Sequence, residues 1–169
     1  NVFLNPDRVV VGCRDEITKK IISKILTKLT KNIVWMSVES AEMTKHAINS
    51  FLAISVTFAN ELASICEKVG ADAKQVEEGL KTDIRIGKKA YLGPGGPFAG
   101  GTLARDIKFL ENISKKFSLQ NRIISSVYKS NQNHKQWHQK LILDEFGGKL
   151  NKKKFLILGL TYKAHTNTL

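Results

Sequence analysis

Cysteine is scarce. Cys13 and Cys66 are the only two in 169 residues, too few for a disulfide framework and without metal-ligand spacing. Cys13 ends a β-like run and Cys66 falls on an apolar helix face, so both read as core residues. Unpaired thiols fit a reducing, cytoplasmic compartment. No run of about 18 apolar residues occurs, which argues against a transmembrane helix. The opening Asn1–Pro6 lacks the basic flank and long apolar stretch of a signal peptide, and the absence of an initial Met suggests a piece of a longer protein. A GxGxxG fingerprint is also missing, because the glycines of Gly93–Gly101 follow no strand and are wrongly spaced. Acidic residues are few, 15 against 27 Lys and Arg, giving a net charge of +12. The lysines are scattered, with one short run at Lys152–Lys154, and no zinc-finger, homeodomain or RNA-recognition signature accompanies them. The expectation is no nucleic-acid partner and no membrane; a basic field drawing in a phosphorylated small molecule accounts for the charge.

The 42% hydrophobic and 25% charged shares are ordinary for a globular chain. Three zones follow from the residue pattern. In residues 1–36, Arg8–Gly12 and Asn32–Met36 read as strands flanking an amphipathic helix from Asp15 to Lys31, a β–α–β rhythm that suits the edge of an α/β domain. Residues 37–148 read as helical. Ser37 or Ser40 caps a helix of roughly thirty residues ending at Gly70, with apolar positions from Ala41 through Ile48, Leu52, Val56, Ala59, Leu62, Ile65 and Cys66 to Val69 near the 3.6 period. Asp72 and Gln75 form a capping box opening a short helix through Leu80. After the loop Lys81–Gly101, Thr102 caps a helix to Phe117. A longer helix is predicted from Leu119 to Phe146, with Ile123, Ile124, Val127, Tyr128, Asn131, Trp137, Leu141 and Ile142 inward. In residues 149–169, Phe155–Leu160 reads as a buried strand. The fold class is thus mainly α: a long central helix in a helical domain, with α/β (Rossmann-like) fragments at both ends.

The most telling segment is Pro94–Asp106. Glycines at 95, 96, 100 and 101 permit positive φ and close approach to a ligand, and they feed a helix N-terminus that can receive an anion. On the long helix, Glu42, Lys45 and Asn49 share one face. A lysine there can hold a developing oxyanion and an asparagine can orient a hydroxyl or water; a surface Glu42–Lys45 pair with a solvated Asn49 is the open alternative. Asp106 can position water or act as a base, or simply complement the helix dipole. Arg85 lies in the loop before the glycines. His134 and His138 have an i, i+4 spacing but no third ligand, so no metal is expected.

Together these segments resemble the UDP-glucose/GDP-mannose dehydrogenase family of nucleotide-sugar oxidoreductases. Asn5–Gly12 is similar to its NPxRVVxG strand, Ser40–Ala53 to its AExxKxxxNxxLA helix start, and Asn60–Ala63 to its NEIA segment. Glu67–Asp72, Arg85–Gly87 and Pro94–Asp106 follow in the family's order, and Leu158–Lys163 resembles its LGLxxK motif. The resemblance implies NAD-dependent oxidation of a nucleotide sugar, with NAD held mainly by residues outside this chain. It implies an oxyanion role for Lys45, and positioning of substrate and water by Asn49 and Asp106. Phe98, Ala99, Gly100, Gly101 and Leu103 would wrap the sugar and phosphates, Lys163 would contact the nucleotide sugar, and Arg85 would reach the site of a partner subunit. A homodimer through the long helix follows as well.

One departure stands out. The family loop reads PGxGYGGSCFPKD, and its cysteine carries the covalent intermediates. Ungapped alignment puts Thr102 at that cysteine, and a shift by one puts Leu103 there; neither is a thiol. Threonine is a weak nucleophile without an adjacent base. Ala104 and Arg105 replace the usual proline and lysine. Two expectations remain: a dehydrogenase that departs from the thioester route, or a nucleotide-sugar-binding and dimerisation module without turnover.

Overall fold

The computed structural model describes residues 4–99 and 101–158. The chain forms two compact units, residues 1–135 and 136–169.

The first unit begins with strand β1 (Val9–Gly12), helix α1 (Glu16–Leu26) and strand β2 (Ile33–Met36). The strands pair in parallel, with Val9 opposite Ile33 and Gly12 opposite Met36. Asp15 caps α1 by accepting from the Thr18 N–H, 2.8 Å away. Gly12 is a steric requirement: a Cβ there would stand 2.7 Å from the Val38 Cα at the start of the next helix. Helix α1 is amphipathic as expected, yet Ile17, Ile21 and Ile25 on one stripe are exposed. Cys13 is only half-buried, and its Sγ lies 3.1 Å from the Asp15 carbonyl.

Helix α2 (Val38–Val69) is the axis of the unit. Ser37 accepts from the Ser40 N–H at its start, and Gly70, at φ 73°, ends it in the left-handed conformation that glycine tolerates. By length and composition α2 could cross a membrane, although no unbroken apolar run of that length exists in the sequence. Its inner face packs instead against α4 and α5. Ala53 and Val56 of α2 join Phe98, Ala104, Ile107 and Val127 in the core. Ile65 and Val69, expected on the apolar face, are exposed, whereas Cys66 is buried.

Helix α3 (Ala73–Thr82) is capped by Asp72, which accepts from the Lys74 and Gln75 N–H groups. Helix α4 (Leu103–Lys116) follows the glycine loop. Thr102 stands at its N-cap but makes no side-chain cap bond, contrary to expectation: its backbone, at φ −118° and ψ −61°, is already helical rather than extended.

Helix α5 (Arg122–His134) ends twelve residues before the predicted Phe146. Every residue from Lys129 to Gln136 is polar, so no apolar stripe carries the helix forward, and the Lys135 N–H bonds back to the Gln132 carbonyl at 3.3 Å, tightening the last turn. Val127 and Asn131 are buried as expected, while Ile123 is exposed.

The second unit holds α6 (Trp137–Glu145), which carries Trp137, Leu141 and Ile142. Gly147 and Gly148, at φ 54° and 72°, end it. The predicted strand from Phe155 is not formed over its described residues, 155–158, which are exposed. An apolar run becomes a strand only through a pairing partner, and none is present among the described residues. Phe155 packs edge-on against Phe146 instead, with ring centroids 5.9 Å apart.

Candidate functional site

The face of α2 that meets α4 carries polar groups in an otherwise apolar contact. Asn49 is buried there, and so is Asp106, one turn into α4 and only 1% exposed. The Asn49 Nδ2 donates to Asp106 Oδ2. The Asn49 Oδ1 accepts from Lys45 Nζ at 3.4 Å. Lys45 thus turns to Asn49, and no Glu42–Lys45 ion pair forms among the described residues. Two segments 57 residues apart are closed into one chain of contacts, Lys45–Asn49–Asp106.

His46 joins this chain, and nothing in the sequence reading pointed to it. Its Nδ1 lies 3.3 Å from Asp106 Oδ1, and its ring stacks on Phe109 with centroids 3.9 Å apart and planes 22° from parallel. The signal was latent in the spacing: position 46 lies next to a residue already singled out, but only the α2–α4 crossing shows which neighbour faces the carboxylate. Arg105 Nε completes the group, 3.5 Å from Asp106 Oδ1.

Burial works to raise the Asp106 carboxyl. Hydrogen bonds from Asn49 and His46, with the charges of His46 and Arg105, outweigh it and hold the group below the usual carboxylate range. A carboxylate in this setting is an acceptor fixed in place, able to orient a donor beside it.

The glycine loop is pinned by side chains from α2 and α5. Asn60 Oδ1 accepts from the Gly95 N–H at 2.8 Å. Asn131 grips Phe98 on both sides, accepting from its N–H at 2.9 Å and donating to its carbonyl at 3.0 Å. His134 Nε2 lies 2.7 Å from the Gly95 carbonyl, which gives that histidine a loop-holding place. The expected positive φ is not found at Gly95, Gly96 or Gly101. A Cβ at any of these three would meet nothing within 4 Å, so no neighbour in the chain demands glycine there. The polar clamps hold Gly95 and Phe98 in place without a left-handed residue at either position.

Between the loop, α4 and α5 lies a cavity of about 520 Å³. Arg105, Lys108 and Lys135 line it together with Phe109 and Tyr128, and among the described residues no carboxylate does. Lys108 Nζ sits 4.8 Å from the Tyr128 ring centre.

The other expected residues are placed as follows. Phe98 is buried in the core and also borders the cavity. Ala99, Gly101 and Thr102 are exposed, and Leu103 packs against the core. Gly100 and Lys163 lie outside the described residues. Arg85 is not brought to Asp106: it is exposed and bound to Asp83, with Nε–Oδ1 at 3.0 Å and NH2–Oδ2 at 2.6 Å. It borders a groove of about 670 Å³ on another side, with Phe51, Phe58 and Tyr91. Neither cysteine belongs to the Lys45–Asn49–Asp106 group. Among the described residues no three of His, Cys, Asp and Glu converge as metal ligands.

A dinucleotide's phosphates find no cradle in the described β1–α1 turn. The Asp15 carboxylate already occupies the start of α1, and Gly12 is packed under Val38.

The profile of the UDP-glucose/GDP-mannose dehydrogenase family, central domain, matches residues 39–133. The UDP-glucose 6-dehydrogenase of Rickettsia bellii is 38% identical over 168 residues, covering 98% of this chain and 38% of that protein. UDP-glucose 6-dehydrogenase YwqF of Bacillus subtilis is 34% identical over 163 residues, covering 96% and 37%. The chain therefore spans less than two fifths of the length of these relatives. A UDP-glucose dehydrogenase structure from the archaeon Pyrobaculum islandicum superposes with a TM-score of 0.78 at 28% identity, over 86% of this chain and 34% of that one. Lys45, Asn49 and Asp106 fall inside the matched segment, and the segment is more than half of the chain: the chain belongs to the UDP-glucose/GDP-mannose dehydrogenase family.

Proposed function

We propose that this chain is the central part of an NAD-dependent, cytoplasmic nucleotide-sugar dehydrogenase of the UDP-sugar or GDP-mannose type. It contributes part of the sugar site and a homodimer interface. The observation that carries the reading is the Lys45–Asn49–Asp106 contact, which joins two motifs of the family in one polar group. Lys45 stabilises negative charge on the sugar oxygen, and Asn49 and Asp106 hold a hydroxyl or water beside it. The cationic cavity next to the glycine loop suits the diphosphate of such a substrate. Phe98, Ala99, Gly101 and Leu103 wrap the sugar and phosphates.

NAD, held by residues outside this chain, supplies hydride acceptance when bound. Thr102 takes the place of the family's cysteine, so oxidation stops after two electrons or proceeds through a hydrated aldehyde. The domains run 1–36, 37–148 and 149–169. The exposed Ile17–Ile21–Ile25 stripe of α1 supports assigning the first of them to a larger α/β domain. The dimer forms over the outer face of α2, where Phe51 and Phe58 are 68% and 49% exposed beside the groove that Arg85 borders.

The test is calorimetric titration of the chain with UDP-glucose and GDP-mannose, together with NADH counted per sugar in the full-length protein. One NADH per sugar, or two with no covalent intermediate trapped, is expected, with binding weakened in Lys45→Ala. Two NADH with a covalent thioester trapped at Cys13 or Cys66 would sink the non-thiol route. The second reading, a binding module without turnover, is favoured by Thr102 alone; tight binding with no hydride transfer, even after Thr102→Cys, would establish it.

A further inference from the structure

A site without a thiol needs another group to take the proton of a reacting hydroxyl. Lys45 is a cation that points to Asn49. The hydrogen bonds that Asp106 shares with Asn49 and His46 leave it a weak base, able to orient a hydroxyl rather than take its proton. His46 remains. Its ring is held on one side by Phe109 at 3.9 Å, and its Nδ1 faces a carboxylate oxygen at 3.3 Å. Its side chain is 26% exposed, so the ring is fixed without being sealed off. An ionised carboxylate only accepts hydrogen bonds. In the neutral ring the proton must therefore sit on Nδ1 for that bond to exist, which leaves Nε2 with a free electron pair.

We propose that His46 is the proton acceptor of this site, held in its Nδ1–H tautomer by Asp106 and in its plane by Phe109, with Nε2 as the base. The identity of the proton donor rests on the nucleotide-sugar reading: it is a hydroxyl of the sugar or of its hydrated aldehyde. In the step, the substrate O–H bond breaks, an Nε2–H bond forms, and the electron pair stays on the oxygen as an alkoxide beside Lys45. The ring becomes an imidazolium whose Nδ1–H is still held by Asp106, and the carboxylate stabilises its charge. The charged groups that face this ring are Asp106 and, behind it, Arg105 from α4; Lys45, the neighbouring charge on its own helix, turns to Asn49.

The decisive measurement is the nitrogen NMR spectrum of the imidazoles in this 169-residue chain, at a pH well above the usual imidazole range of about 6.5. His46→Gln identifies its signals among the 4 histidines. An Nδ1-protonated His46 is expected, the reverse of the form a free histidine side chain favours in water, and it should revert in Asp106→Ala. Diethyl pyrocarbonate should modify His46 at Nε2. An Nε2-protonated ring in the wild-type spectrum overturns the proposal without any variant having to fold. So does a tautomer indifferent to Asp106→Ala in a variant that keeps its fold. In the full-length protein, His46→Gln should lower kcat about a hundredfold or more while KM stays nearly constant, and added imidazole should restore turnover to His46→Gly. An unchanged kcat also overturns the role. The spectrum needs no nucleotide sugar, so a failure to bind UDP-glucose would sink the function proposed above and leave the dyad to be judged by its tautomer.

Discussion

Asp106 concentrates the electrostatics of this chain in one carboxylate. It is buried, it joins α2 to α4, and its partners hold it ionised. A carboxyl whose folded pKa lies below its unfolded value adds stability above the unfolded value, near 3.9, and loses it as pH falls through the folded one. The urea midpoint of the wild type should therefore fall on acidification below about pH 4, and Asp106→Asn should flatten that acid limb. Near neutrality the same variant should cost about 1–3 kcal/mol, since Asn49 and His46 lose a charged acceptor. Asn131 is the second residue of this kind. Asn131→Ala leaves the Phe98 N–H and carbonyl without their clamp, so a loss of about 1–3 kcal/mol is expected. Faster amide exchange at Phe98 would show the loop released, and unchanged exchange would show that Asn60 suffices to hold it.

At the scale of elements, the chain depends on close approaches to α2. Gly12 passes directly under its first turn, and Gly12→Ala puts a methyl into the Val38 backbone. Backbone cannot swing aside as a flexible side chain can, so thermal unfolding should shift downward by the equivalent of about 1–3 kcal/mol. Gly95→Ala is the contrast: nothing lies near its added methyl, and its φ is not left-handed. Folding should be indifferent to it, while the proposed function predicts weaker nucleotide-sugar binding if the substrate packs on that surface. The helix ends repeat this division between local and distant causes. Ser37, Gly70 and Asp72 were legible because capping is decided within a few residues. Thr102 was not, because its backbone conformation comes from a loop pinned by Asn60, Asn131 and His134, all remote in sequence.

For the whole molecule, the proposed dimer rests on the exposed apolar side chains of α2. Phe51 and Phe58 stand seven residues apart on that helix, next to a groove bordered by Ile86, Tyr91 and Arg85. Sedimentation equilibrium should return a dimer for the wild-type chain, and Phe58→Asp should give a folded monomer, since a buried unpaired charge is costly at an interface. A wild-type monomer at high concentration would remove this role from α2. The apolar runs tell the same story at the chain's two ends. Ile17, Ile21 and Ile25 form a helix whose apolar stripe finds no cover, and Phe155–Leu158 carries strand residues that find no pairing partner among the described residues.

Local chemistry in the sequence by itself determined the succession of elements from β1 to α4, the caps of α2 and α3, the β–α–β start and the candidacy of Lys45, Asn49 and Asp106. Periodicity and capping act over a few residues, so one sequence suffices to see them. Only the tertiary structure decided that α5 stops at His134, that Gly95, Gly96 and Gly101 avoid positive φ, and that Arg85 lies on a different side from Asp106. It also decided that His46 faces the Asp106 carboxylate from 60 residues away. Those outcomes depend on which surfaces meet at a helix crossing, and a side chain's partner across such a crossing leaves no trace in the spacing of its own neighbours.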